Sequence, residues 1–152
     1  LRYYPFGNPS YGIVNTGPGK LGLPIQNMKK GNITSPFGHR SSPGGIGSTN
    51  HMGLDIGFPT GTHVLACEAG KVEVAGWNGG FGKCIIISHG GGLKTVYGHL
   101  SRINVTKGQA VVRGQFIGEV GSTGNSTGPH LHLGVVMNGS YVDPQKGWLS
   151  IP

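Results

Sequence analysis

The sequence predicts a mostly β domain: short antiparallel strands joined by glycine turns. Three observations carry this. Apolar runs of four to seven residues recur from residue 31 onward, each bounded by Gly, Pro, Asn or Ser. No window carries a three-turn amphipathic period. Glycine is unusually common, 31 of 152 residues, and is spread between the runs as turn punctuation, with no internal repeat.

Residues 1–30, rich in Gly, Pro, Asn and Tyr without either period, read as an extended arm, and 31–152 as one domain long enough to bury a core. Within it, Ile33 to Arg40 reads as a brief strand ending in a Pro/Gly turn, and Ser41 to Asn50 as a flexible loop. Val64–Cys67 and Lys71–Trp77 read as a hairpin around Gly70. Cys84 to His89 is an apolar strand of the buried kind, and Gly90-Gly91-Gly92 leads from it to Leu93–His99. Gln109–Val112 and Phe116–Val120 follow. A small-polar loop, Gly121 to Gly128, then delivers His130 and the apolar run from Leu131 to Met137.

Charge and cysteine usage bound the function. Twelve basic residues against five acidic give a formal charge of +7, which favours anionic partners. The basic residues are scattered, apart from Lys29-Lys30, with no arginine-rich helix or stacking motif. Nucleic acid is therefore set aside in favour of an anionic surface or acidic wall polymer. No stretch approaches the roughly 20 apolar residues of a membrane span. The opening residues lack the order of a secretory signal, and Leu1 in place of an initiator methionine reads as a mature or excised portion of a longer secreted protein. Cys67 and Cys84 sit on segments out of register with each other and are expected as free, packed thiols.

The chemistry-bearing residues are histidines. His51 and Asp55, four apart, can aim at one point, and two such N/O donors suit Zn2+, which in catalytic sites takes three protein ligands. A third donor is available at His130-Leu131-His132, where residues two apart on a strand share a face. Each pair alone is more often structural. Together with Tyr97-Gly98-His99-Leu100 they form a constellation that chance supplies far less often. On an alternating strand Tyr97 faces with His99, as a hydrogen-bond donor or as a packed ring. His39, His63 and His89 are expected to be exposed or hydrogen-bonded, and Glu119 and Asp143 to be surface or turn carboxylates. The Gly121–Gly128 loop lacks the lysine of a phosphate loop.

Ile33-Thr34-Ser35-Pro36-Phe37-Gly38, His51-x3-Asp55, the glycine turn after Trp77, Tyr97-Gly98-His99-Leu100-Ser101 and Gly121 through His132 resemble the lysostaphin-type zinc endopeptidases of bacterial cell-wall metabolism. The resemblance runs from about Asn32 to Asp143 and leaves residues 1–30 outside. It implies a single domain with an antiparallel β-sheet core and a loop-walled active-site groove, zinc ligands at His51, Asp55 and His132, and two unliganded catalytic histidines, His99 and His130. No glutamate adjoins either histidine motif, so the base is expected to be a histidine, with the division of work between His99 and His130 open. The implied activity is hydrolysis of peptide cross-links or bridges in peptidoglycan by a monomer, in an extracellular, cell-wall or phage-associated setting. Trp77 to Lys83 resembles the broad family form more than the glycine-bridge specialists, so cleavage beside a D-alanine stands at least level with pentaglycine. The competing reading is a noncatalytic wall-binding or activator module on the same fold. If the arm blocks the site, Asn8, Asn15 or Asn27 would reach the metal.

Overall fold

The computed structural model describes residues 21–41 and 48–152. Twelve strands run in chain order: β1 (Ile33–Ser35), β2 (Gly38–Ser41), β3 (Ser48–His51), β4 (Leu54–Ile56), β5 (His63–Leu65), β6 (Gly70–Trp77), β7 (Lys83–Gly90), β8 (Leu93–Ile103), β9 (Ala110–Val111), β10 (Phe116–Val120), β11 (Leu131–Met137) and β12 (Ser140–Val142). Ten form one antiparallel sheet in the order β1-β4-β11-β8-β7-β6-β9. There β12 adds to β11, and β10 joins β8 to β5. β2 and β3 form a separate ribbon. Among the described residues there is no α-helix.

Period-two alternation decides which face each strand gives to the core. Leu54 and Ile56 of β4, Leu131, Leu133 and Val135 of β11, and Ile85 and Ile87 of β7 are fully buried together. Each such side chain contributes about 1.5–3 kcal/mol by leaving water. The residues between them, Asp55 and His132, necessarily point to the other face. The core thus places the site.

Several expectations are corrected. The segment read as one strand, Ile33 to Arg40, is two, broken at Pro36-Phe37, because proline cannot donate to a ladder. Much of the expected loop before His51 is the ribbon of β2 and β3, with residues 42–47 outside the described part. β5 and β6 do not form a hairpin. Ala66 instead bonds to Gln115 and Gly114, which holds β5 on β10, while β6 pairs with β7 and β9.

Of the arm drawn at 1–30, residues 21–30 are described, and they are packed. Leu21, Ile25 and Met28 lie in the core. The backbone of Leu21, Gly22, Pro24 and Lys30 is tied to Trp148, Cys67, Leu65 and Pro152 respectively. Cys67 and Cys84 are free and buried, as expected, and burial pushes the Cys67 thiol up to about 12 and the Cys84 thiol up to about 11.

Candidate metal centre and active-site groove

His51 closes β3 and Asp55 lies on β4, so the two converge across a turn and not along one element. Gly53 makes the turn possible. A Cβ there would collide with the Leu133 carbonyl and come within 2.9 Å of the His132 ring. Cross-strand register does the rest: Asp55 pairs with His132, and His132 with Gly98. Lacking a side chain, Gly98 leaves room for Phe81, whose ring lies 5.1 Å from that of His132.

Asp55 Oδ1 is the focus of the site. His51 Nε2 lies 3.2 Å from it and His132 Nδ1 3.3 Å. His130 Nε2 lies 3.5 Å away. Burial alone would push the Asp55 carboxyl up, but the His132 hydrogen bond and the neighbouring imidazoles of His51, His130 and His132 outweigh it and hold it down. A carboxylate is thus favoured among them.

The ring orientations are set by backbone carbonyls, which can only accept. His51 Nδ1 donates to Pro36 O at 2.9 Å, His99 Nδ1 to Thr123 O at 2.7 Å, and His130 Nδ1 to Gly128 O at 2.9 Å. In each neutral ring this leaves the Nε2 lone pair free. His132 is reversed: its Nδ1 faces Asp55, and its buried Nε2 has no hydrogen-bond partner. Leaving a buried nitrogen unpaired costs about 1–3 kcal/mol, which the fold accepts in aiming Nδ1.

The donors of His51, Asp55 and His132 all lie within 4.8 Å of one another. Tetrahedral zinc with bonds of about 2.0–2.2 Å requires donors about 3.3–3.6 Å apart. The two spacings to Asp55 Oδ1, 3.2 and 3.3 Å, lie within about 0.1 Å of that range, so this donor set fits the ion after small side-chain adjustment.

His99 and His130 stand beside this group, their rings 4.7 Å apart. All five residues share a groove of about 420 Å³. Gly80, Phe81, Asn125, Ser126 and Thr127 line it with them. Among the described residues no glutamate lines it. Burial, the largest cause, holds the His99 imidazole below its ordinary value, partly opposed by the Thr123 carbonyl; the net effect favours the neutral ring.

Tyr97 does not face the groove. It is wholly buried, its hydroxyl bonded to Cys67 N and Thr95 Oγ1. His89 is buried with both ring nitrogens bonded, and His63 stacks on Phe116. Asp143 accepts from Gln145 N in a turn. Asn27 does not line the groove, while Asn8 and Asn15 lie outside the described residues. Phe81, Thr123, Ser126 and Gly53 were not anticipated. The small-polar composition of the 121–128 loop hid Thr123 and Ser126, and only the partners of His99 and His130 reveal them.

An antiparallel sheet carrying two imidazoles and one carboxylate at the floor of an open groove, with two further histidines alongside, is an arrangement able to take one zinc ion beside two proton-transfer groups. The chain belongs to peptidase family M23, a metallopeptidase family whose model matches residues 49–144. It is 41% identical over 133 residues to the DD-carboxypeptidase/endopeptidase Mpg of Neisseria meningitidis, covering 88% of this chain and 31% of that protein. It is 40% identical over 116 residues to lysostaphin of Staphylococcus simulans, covering 75% of this chain and 22% of the relative. A zinc-containing peptidase from Vibrio cholerae superposes with a TM-score of 0.76 at 38% identity, over 84% of this chain and 40% of the other. The chain spans about a third or less of the length of these curated relatives.

Proposed function

We propose that this chain is the catalytic domain of a zinc endopeptidase that hydrolyses peptide cross-links of bacterial peptidoglycan. The observation that carries the reading is the convergence of His51 Nε2 and His132 Nδ1 on Asp55 Oδ1, with His99 and His130 beside them in one groove. Held by His51, Asp55 and His132, zinc supplies Lewis acidity, polarising a carbonyl and lowering the pKa of water from 15.7 toward about 7.

The remaining chemistry belongs to the chain's own side chains. His99, its neutral ring favoured and its Nδ1–H anchored on Thr123 O, offers Nε2 to take the proton of the attacking water and return it to the leaving amine. His130, anchored on Gly128 O, offers a second Nε2 for the same proton traffic or, when protonated, for the developing oxyanion. Phe81 covers one side of His132 and keeps water from that flank.

For the bond cut, the reading is the D-alanyl cross-link. The relative named as a DD-carboxypeptidase/endopeptidase aligns over 88% of this chain, against 75% for lysostaphin. The scattered positive charge suits an anionic wall, and a protein acting on such a wall would work outside the cytoplasm. The test is mass spectrometry of fragments released from purified peptidoglycans of several bridge types, with and without a zinc chelator. Chelator-sensitive release with a new amine terminus on the cross-linking residue is expected. No release from any wall by the zinc-loaded chain would favour the noncatalytic module.

A further inference from the structure

We infer that Thr123 is a positioning residue that sets both the ring and the backbone of His99; the kinetic half of this inference rests on the function proposed above. His99 has a positive φ of 63°, a left-handed conformation that a non-glycine residue adopts only when its surroundings over-determine it. Three contacts from one residue supply that determination. The Thr123 carbonyl accepts from His99 Nδ1 at 2.7 Å. The Thr123 hydroxyl donates to the carbonyl of Leu100, the next residue along, at 2.6 Å. The same hydroxyl accepts from Lys83 N at 3.0 Å, and Lys83 is the cross-strand partner of Leu100.

The hydroxyl is thus a clip between β7 and β8 at the bulge that turns His99 into the groove, while the carbonyl fixes the tautomer. Thr123 is itself held in place by backbone packing. Gly82 and Gly124 have φ of 64° and 76°, and a Cβ on Gly82 would collide with Thr123, while one on Gly124 would collide with Gly82. Asn125 N donates to Gly80 O at 2.8 Å and closes the same contact. Thr123 is no ligand and is not among the groove-lining residues, so its influence on the reaction passes through His99.

The experiment compares Thr123→Val, which keeps shape and removes the clip, with Thr123→Ser, which keeps the hydroxyl. Each is read by zinc content, by kcat and KM on a soluble cross-linked muropeptide, and by the His99 ring 15N–1H spectrum of the zinc-loaded chain. Partners that orient an active-site imidazole are worth about 10–100-fold. Thr123→Val is therefore expected to lower kcat by about that factor, with KM changed by less than about threefold, zinc still bound, and the slow-exchanging His99 Nδ1–H signal lost. Thr123→Ser is expected to restore both the signal and most of kcat. A Thr123→Val chain that keeps the Nδ1–H signal, or keeps kcat within about threefold, overturns the inference. So does one that fails by losing zinc, because the effect then runs through the metal site. If the parent chain cleaves nothing, the function proposed above fails and the ring spectrum alone decides the role of Thr123.

Discussion

Tyr97 and His99, two residues apart on β8, face opposite ways: the phenol is sealed in the core and the imidazole opens into the groove. The cause is a bulge. β8 runs three residues from Tyr97 to Leu100, while its partner β7 runs two from Ile85 to Lys83, and the extra residue reverses the alternation. Leu100 therefore resumes the core face, and His99 is turned outward at its left-handed φ.

Because His99 does not belong to the His51, Asp55, His132 group, metal binding and cleavage should separate. His99→Ala is expected to keep its zinc, measured by atomic emission, and to lose about 10²–10⁴-fold in kcat, the usual value of a positioned acid or base. Asp55→Ala, which removes the focus of the site, should lose both. An Asp55→Ala chain holding one tight equivalent of zinc would contradict the ligand assignment.

Zinc should also stabilise the fold, since its three donors come from β3, β4 and β11, which are assembled only in the native chain. A ligand present at 1,000 times its Kd contributes about 4.1 kcal/mol. For a chain of this size that corresponds to roughly 8–16 °C in Tm. Calorimetry before and after chelation should show a drop of that order in the parent chain and none in His132→Ala.

Gly82 and Gly91 share nearly the same φ, 64° and 63°, although the ψ of −137° at Gly82 adds a backbone strain of its own for any side chain. A Cβ on Gly91 meets open space, whereas one on Gly82 collides with the Thr123 carbonyl carbon. Gly91→Ala should cost about 1–2 kcal/mol, the left-handed penalty alone. Gly82→Ala should cost at least about 2 kcal/mol more than that and also lower kcat, because the displaced backbone is the one that anchors His99. Urea unfolding and steady-state rates check both; equal costs at the two positions would remove the backbone contact from the account.

These cases mark where the sequence is readable. Alternating runs such as Leu131-His132-Leu133 carry their own face assignment, so the β class and the His132 direction are visible in one dimension. The spacing of His51 and Asp55 shows that they meet, but not that a ribbon and a Gly53 turn bring them together. Bulges carry no such signal: nothing in Tyr97-Gly98-His99 announces an extra residue, because the bulge exists only relative to β7. Leu21, Ile25 and Met28 were hidden for a similar reason, their burial depending on the C-terminal segment around Trp148 and Ile151.

The buried network below the site gives the stability a definite pH dependence. Its ends fix the direction of every hydrogen bond. Cys67 N–H donates to Tyr97; with the Nδ1 proton of a neutral His89 used on Ala69, Thr95 donates to His89 Nε2 at 2.8 Å and so accepts from the Tyr97 hydroxyl at 2.7 Å. At the other end, the Ala69 carbonyl must accept from His89 Nδ1 at 2.8 Å. A proton on Nε2 would oppose the whole chain of donors, and the buried ring would carry a charge with no anion beside it. Burial, opposed in part by the Ala69 carbonyl, holds His89 down to about 4 from an ordinary value near 6.5. Below pH 6.5 the unfolded chain therefore binds the proton that the folded chain refuses. Stability should be level above about pH 6.5 and fall as pH drops toward 4, by up to roughly 3 kcal/mol from this group. Urea unfolding of the metal-free chain at stepped pH measures this together with other groups such as His99, which burial also holds down, so the difference between the parent and a His89 variant isolates the His89 share. His89→Gln removes the titrating group and should flatten the slope between pH 6.5 and 4, whatever its effect at neutral pH. Tyr97→Phe should cost about 1–3 kcal/mol at pH 7, by stranding Cys67 N. It should nonetheless lose less on acidification, because Thr95 is then free to turn and accept from a protonated His89. An acid slope unchanged in both variants would assign the pH dependence to other groups.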